Sequence, residues 1–90
     1  MNTYLFIYNN EFGNREYAIS VIRQIPSIVR WRSDMPNVFY IKSKDSSQQL
    51  CDAVREIRGS GKFLIAEITS NRQGYLSIDT WNFIRSKEEE

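Results

Sequence analysis

The chain contains no histidine, which removes the side chain most used as a general base, as a transition-metal ligand and in His-dependent hydrolytic triads. The single cysteine, Cys51, falls inside a helical pattern beside Leu50, away from a helix start where a thiolate would be stabilised. It reads as a small packing residue. Gly59-Ser60-Gly61-Lys62 has the composition of a phosphate loop without its spacing. A Walker loop needs four residues between its glycines, a Ser or Thr after the Lys, and a helix to follow. Here a helical pattern precedes and a strand pattern follows, so the segment reads as a turn. The carboxylates Glu11, Asp34, Asp45, Asp52, Glu56, Glu67 and Asp79 are dispersed, and only Asp52 and Glu56 share a helical face. With Arg55 and Arg58 beside them they form a solvated helix surface rather than an acid/base pair. No catalytic set emerges, and no cofactor is expected.

Arg30, Trp31 and Arg32, with Arg23 nearby, interleave basic and aromatic groups as a nucleic-acid surface does. They are the candidate nucleic-acid residues, although a sheet edge bearing arginines is also common in proteins that bind nothing.

The elements that would position these residues follow from hydrophobic periodicity. Thr3 to Tyr8 is a β-branched and aromatic run, with Leu5 and Ile7 on one face and Tyr4, Phe6 and Tyr8 on the other. Asn9, Asn10 and Gly13 end it. From Asn14, the residues Tyr17, Ala18, Val21, Ile22 and Ile25 recur at helical spacing until Pro26. Ile28 to Arg32 alternates Val29 and Trp31 against Arg30 and Arg32, and Asp34-Met35-Pro36-Asn37 supplies turn residues before a third strand, Val38 to Lys42. Ser46 and Gln49 have capping-box spacing for a second helix, whose buried stripe is Leu50, Ala53, Val54 and Ile57. Gly59 is expected as its left-handed C-terminal residue. Lys62 to Ile68 is the fourth strand. Tyr75 to Arg85 reads as a short helix capped by Asp79, with an extra edge strand as the alternative.

The order β-α-β-β-α-β assembles most simply as a ferredoxin-like α+β fold: a four-stranded antiparallel sheet, two helices on one face, and a short C-terminal appendage. That packing leaves one sheet face open, yet the first and fourth strands are apolar on both faces. Aliphatic residues suit the helix-covered face. Tyr4, Phe6, Tyr8, Phe63 and Ile65 are therefore assigned to the open face, an assignment that could be reversed in either strand. At about 1.5–3 kcal/mol per large side chain buried, covering such a patch would drive association strongly. A second subunit, the appendage or a nucleic acid could supply the cover. As a base-stacking platform the sheet lacks one feature: Asn37-Val38-Phe39-Tyr40-Ile41-Lys42 has no basic-Gly-aromatic signature of an RNA-recognition motif.

Ninety residues make one domain with one core, assigned to 1–87, followed by an acidic tail at 88–90. Hydrophobic residues at 41% and charged residues at 26% are the balance of a globular protein. Net charge is +1, but residues 1–87 carry 12 basic and 8 acidic side chains, so the body is mildly basic. The longest apolar runs, Tyr4 to Tyr8 and Phe63 to Ala66, fall far short of the ~20 residues that cross a bilayer, and no membrane partner is expected. Met1-Asn2-Thr3-Tyr4 runs straight into a strand pattern without the parts of a signal peptide. A lone cysteine excludes an internal disulfide, and a reducing, cytoplasmic setting is the simplest reading.

At the level of pattern, residues 3–70 resemble the small CRISPR-associated ferredoxin-like proteins of spacer acquisition, and more closely their SinR-like relatives. The similar parts are Tyr4-Leu5-Phe6-Ile7-Tyr8, the strand containing Trp31, Val38 to Ile41 followed by Ser47-Gln48-Gln49-Leu50, and Phe63 to Ile68. The resemblance implies a homodimer with sheet packed on sheet. It also implies, for the nuclease members, an aspartate at the end of the first strand that holds a divalent metal. This chain has Asn9 and Asn10 there, and a neutral amide offers a hard cation an oxygen but no charge. Glu11 could substitute from two residues on. The expectation is a non-catalytic homodimer, associated with nucleic acid or a defence system. A magnesium-dependent endoribonuclease using Asn9 and Glu11 is the alternative, and a protein-binding module or inhibitor a further one.

Overall fold

The computed structural model describes residues 1–86. The tail assigned to 88–90 lies outside the described residues. Seven elements run in order: β1 (Asn2–Tyr8), α1 (Arg15–Arg23), β2 (Ile28–Met35), β3 (Val38–Ser43), α2 (Ser47–Ile57), β4 (Phe63–Glu67) and α3 (Ile78–Arg85). The fold is α+β, with one antiparallel sheet in the order β2-β3-β1-β4. β1 is central, paired with β3 on one side and β4 on the other. That position explains why its sequence is apolar on both faces.

The two faces are covered differently. Tyr4, Phe6, Tyr8, Phe39 and Ile41 pack with Ala18, Val21 and Ile22 of α1 and Leu50 and Val54 of α2 into the main core, with Phe63 and Ile65 against it. This reverses the sequence-based face assignment: Tyr4, Phe6, Tyr8, Phe63 and Ile65 lie on the helix-covered face. The reason is volume. α1 and α2 offer small side chains, Ala18, Ala53 and Val54, so long rings on the sheet fill the gap at native packing density. Phe6, Phe12 and Phe63 meet one another edge to face at 5.7–5.9 Å between centroids, an arrangement favoured by the ring quadrupoles. Tyr4 is 2% exposed, and its hydroxyl donates to the Asp45 carbonyl at 2.6 Å, so the one polar atom of the ring is satisfied.

The opposite face carries α3. Phe83 and Ile84 pack on Tyr40, with Leu5, Val38, Ile68, Leu76 and Trp81 around them. The appendage is thus a helix, and it covers part of the face that the first four strands leave open. Its N-cap is Ser77, whose side chain accepts from the Thr80 N–H; Asp79, expected as the cap, sits in the first turn, where a carboxylate favours the helix dipole.

Three further local details differ from expectation. β2 continues to Met35, which pairs with Val38, so the hairpin turn narrows to Pro36-Asn37, with Asn37 at φ 62°. A proline followed by a positive-φ residue is the type II pattern. Irregularities between Ile28 and Arg30 and between Arg32 and Met35 adjust the register of this edge strand. The left-handed glycine after α2 is Gly61 (φ 87°), not Gly59; α2 ends on an extended Arg58. The Ser46–Gln49 capping box is present as read.

Candidate functional site

Four residues form one cross-strand row over the whole width of the sheet: Met35 pairs with Val38, Val38 with Ile7, and Ile7 with Leu64. Register partners share a face, and Val38 places this row on the α3 side. The row lies at the hairpin end. α3 enters there at its N-terminus, preceded by Tyr75 and Leu76, which line a cleft with Asp34 and Met35. The helix then runs towards the other end, where Lys42 Nζ donates to the Ile84 and Ser86 carbonyls. Val38 packs against the α3 cluster, but the short helix leaves the rest of the row bare: Met35 is 41% exposed, Ile7 36% and Leu64 59%. Exposed apolar side chains that touch one another, rather than lie scattered, mark an interaction surface. A shallow cleft of about 280 Å³ continues the row past Leu64, lined by Tyr8, Asn9, Lys62 and Phe63. Beyond it the outer edge of β4 pairs with no strand among the described residues, and β4 carries only one charged residue, Glu67, to blunt that edge.

α3 is fastened to the sheet by a polar hub. Thr80 Oγ1 accepts from Arg32 Nε at 2.8 Å and lies 2.7 Å from Asp34 Oδ2 and 2.9 Å from Ser77 Oγ. A carboxylate only accepts, so the one Thr80 hydroxyl proton goes to Asp34, and Ser77 must be the donor in its contact with Thr80. The Tyr40 hydroxyl is held above its ordinary pKa, first by burial and then by the charge of Asp34 and a hydrogen bond to it.

The sequence-derived nucleic-acid set lies around the edge strand β2, with contacts on both of its faces. Arg30 stacks over Phe83 at 5.4 Å, and Arg32 is bound to Thr80, both on the α3 side. Trp31 meets Phe39 edge to face on the α1 side, with the Arg23 guanidinium 5.8 Å from its ring. Arg30, Trp31 and Arg32 all line one cleft of about 260 Å³ together with Asp79 and Asn82, and Arg23 is not among them.

The end of β1 is built for turn geometry. Asn9 Oδ1 accepts from both the Phe12 and Lys62 backbone N–H groups, at 3.1 Å each. Both lone pairs of that oxygen are engaged by backbone N–H groups. Asn10 Oδ1 accepts from Asn37 Nδ2. The Glu11 side chain is exposed, and its carbonyl takes Arg58 Nη2. Among the described residues no three His, Cys, Asp or Glu side chains come together as a metal site. Cys51 is half-buried within α2, and no described helix is long and apolar enough to cross a membrane.

Sequence reading missed the bare row. Its signal was present in the two-residue alternation that separates Leu5 and Ile7 from Tyr4, Phe6 and Tyr8, once the rings are turned toward the helices. Comparisons with protein-family models, with curated proteins and with solved structures find no match to this chain.

Proposed function

We propose that the chain is a non-catalytic homodimeric module of the ferredoxin-like class that associates with nucleic acid. The observation that carries the dimer is the row Met35-Val38-Ile7-Leu64, apolar across all four strands and exposed at Met35, Ile7 and Leu64. The strand order and the placement of α1 and α2 on one face support the fold class, and the resemblance to small dimeric ferredoxin-like proteins points the same way. A second copy suits the row because a two-fold axis across it sets Leu64 against Met35 of the second copy, so that each protomer covers the other's exposed apolar end. The proposed interface thus uses Ile7, Leu64 and Met35 in place of Tyr4, Phe6, Tyr8, Phe63 and Ile65. The mildly basic body is the support for a nucleic-acid partner.

The test is solution mass by light scattering behind a sizing column, with nucleic-acid absorbance followed across the peak. A dimer, twice the 10.6 kDa chain, is the expected result, and a monomer at all concentrations overturns the reading. The endoribonuclease alternative is favoured instead if magnesium-dependent cleavage of RNA is lost on Glu11→Ala or Asn9→Ala. Recovery of one stoichiometric protein partner without nucleic acid favours the binding module.

A further inference from the structure

We propose that a second cleft on the α3 side, between the 68–77 loop and the C-terminal half of α3, binds a nucleoside phosphate. It has a volume of about 380 Å³ and is lined by Ser70, Arg72, Gln73, Gly74, Trp81 and Arg85. That is within the range of about 300–1,000 Å³ usual for small-ligand sites. Two guanidinium groups share its wall, and among the described residues no carboxylate lines it. Such an arrangement is repulsive when empty and favourable around an anion. Arg72 donates Nη1 to the Thr69 carbonyl at 2.9 Å, which anchors the group and leaves most of its five N–H donors for a phosphate.

The aromatic component selects a nucleoside over a bare anion. Trp81 and Arg85 are four residues apart on α3, and the Arg85 guanidinium lies 5.6 Å from the indole centroid. The indole is half-buried, its inner part in the small core with Tyr40 and Phe83. Gly74 keeps the outer ring edge accessible: a Cβ there would stand 3.9 Å from Trp81 Cζ2 and begin to fill the cleft. A planar base stacks on the outer face of the Arg85 guanidinium, which lies over the indole, while its phosphate meets Arg72. The contrast with the Arg30–Arg32 cleft is direct, since there Asp79 lines the wall and Arg32 is committed to Thr80. The inference rests on the nucleic-acid part of the function proposed above, to which it gives a site, and not on the dimer. The same chemistry is offered by a free nucleotide and by a single strand.

The experiment uses the full chain, with Trp81→Phe as the control that assigns the fluorescence change to Trp81. The fluorescence is titrated with UMP, uridine, inorganic phosphate and an oligouridylate. UMP is expected to quench, with uridine and inorganic phosphate each weaker by about tenfold, and with Arg72→Ala and Arg85→Ala each weakening UMP by about tenfold. Thermal melts verify that both variants are folded. Tighter binding of the oligouridylate, with a steep salt dependence, identifies a strand as the ligand. Equal binding identifies the free nucleotide and rejects the nucleic-acid reading while keeping the site. Binding of the strand that is unchanged in both arginine variants overturns the site and leaves the nucleic-acid reading standing. Absence of binding by every probe, or inorganic phosphate matching UMP, overturns the inference.

Discussion

Gly61 lies directly against Phe12: a Cβ built on Gly61 would stand 2.5 Å from the Phe12 Cα and 2.7 Å from its backbone nitrogen. Phe12 is fully buried among Phe6, Tyr8 and Phe63, and its backbone N–H is fixed by Asn9. Neither partner can yield. Gly61 also holds φ at 87°, where a Cβ adds strain. Gly61→Ala is therefore expected to destabilise the chain by about 2–4 kcal/mol, read from denaturant unfolding. Gly59 lacks both constraints, with no atom within 4 Å of the point a Cβ would occupy. Gly59→Ala should be neutral or stabilising by up to about 1 kcal/mol. Equal effects at the two glycines would refute this account of the turn.

Phe6 and Leu64 separate stability from assembly. Phe6 is 1% exposed in the main core, whereas Leu64 is 59% exposed at the end of the bare row. Phe6→Ala should cost about 3–5 kcal/mol. Leu64→Glu should leave the melting temperature of a dilute sample nearly unchanged and convert the proposed dimer to a 10.6 kDa species on the sizing column. If Phe6→Ala breaks the dimer without loss of stability, the rings belong to the interface after all.

These two pairs show what sequence could and could not carry. The alternation in β1 was legible, because strand geometry fixes which residues share a face. Which face the helices would cover was not, because that depends on the small side chains of α1 and α2 meeting rings from strands far along the chain. The choice between Gly59 and Gly61 was equally hidden, since the sign of φ is set by the approach to Phe12. The alternation of Arg30-Trp31-Arg32 was legible, with Trp31 turned toward Phe39 and the two arginines toward α3, but the cleft that all three line with Asp79 was not, because it needs the docked helix. The position of α3 was written in Trp81, Phe83 and Ile84, but its footprint follows from a docking that no local pattern records.

Thr80 tests how firmly α3 is held. Its side chain is fully buried, and its hydroxyl joins Arg32, Asp34 and Ser77. Thr80→Val keeps the shape and deletes the hub, leaving Arg32 and Asp34 each short of a partner. A loss of about 1–3 kcal/mol is expected, with faster amide exchange concentrated in residues 78–85. Unchanged exchange across α3 would show that Phe83 and Ile84 alone hold the helix.

Two tyrosines give the chain an alkaline limit. Burial raises the Tyr8 pKa above 10.0 despite the opposing charge of Arg15, and burial with Asp34 raises that of Tyr40. In the unfolded chain both lose their protons near the ordinary value of about 10. Above that pH the folded state holds protons that the unfolded state has released, so stability falls as pH rises. The contribution is fully present below pH 10.0 and disappears as pH climbs through the higher folded-state values. Denaturant unfolding measured from about pH 9 to about pH 11 should show this decline. Tyr40→Phe removes one of the two titrations, so its stability should fall less steeply over the same window, although it starts lower for want of the hydrogen bond to Asp34. A decline as steep in Tyr40→Phe as in the parent chain would remove Tyr40 from the explanation and leave the loss to other groups.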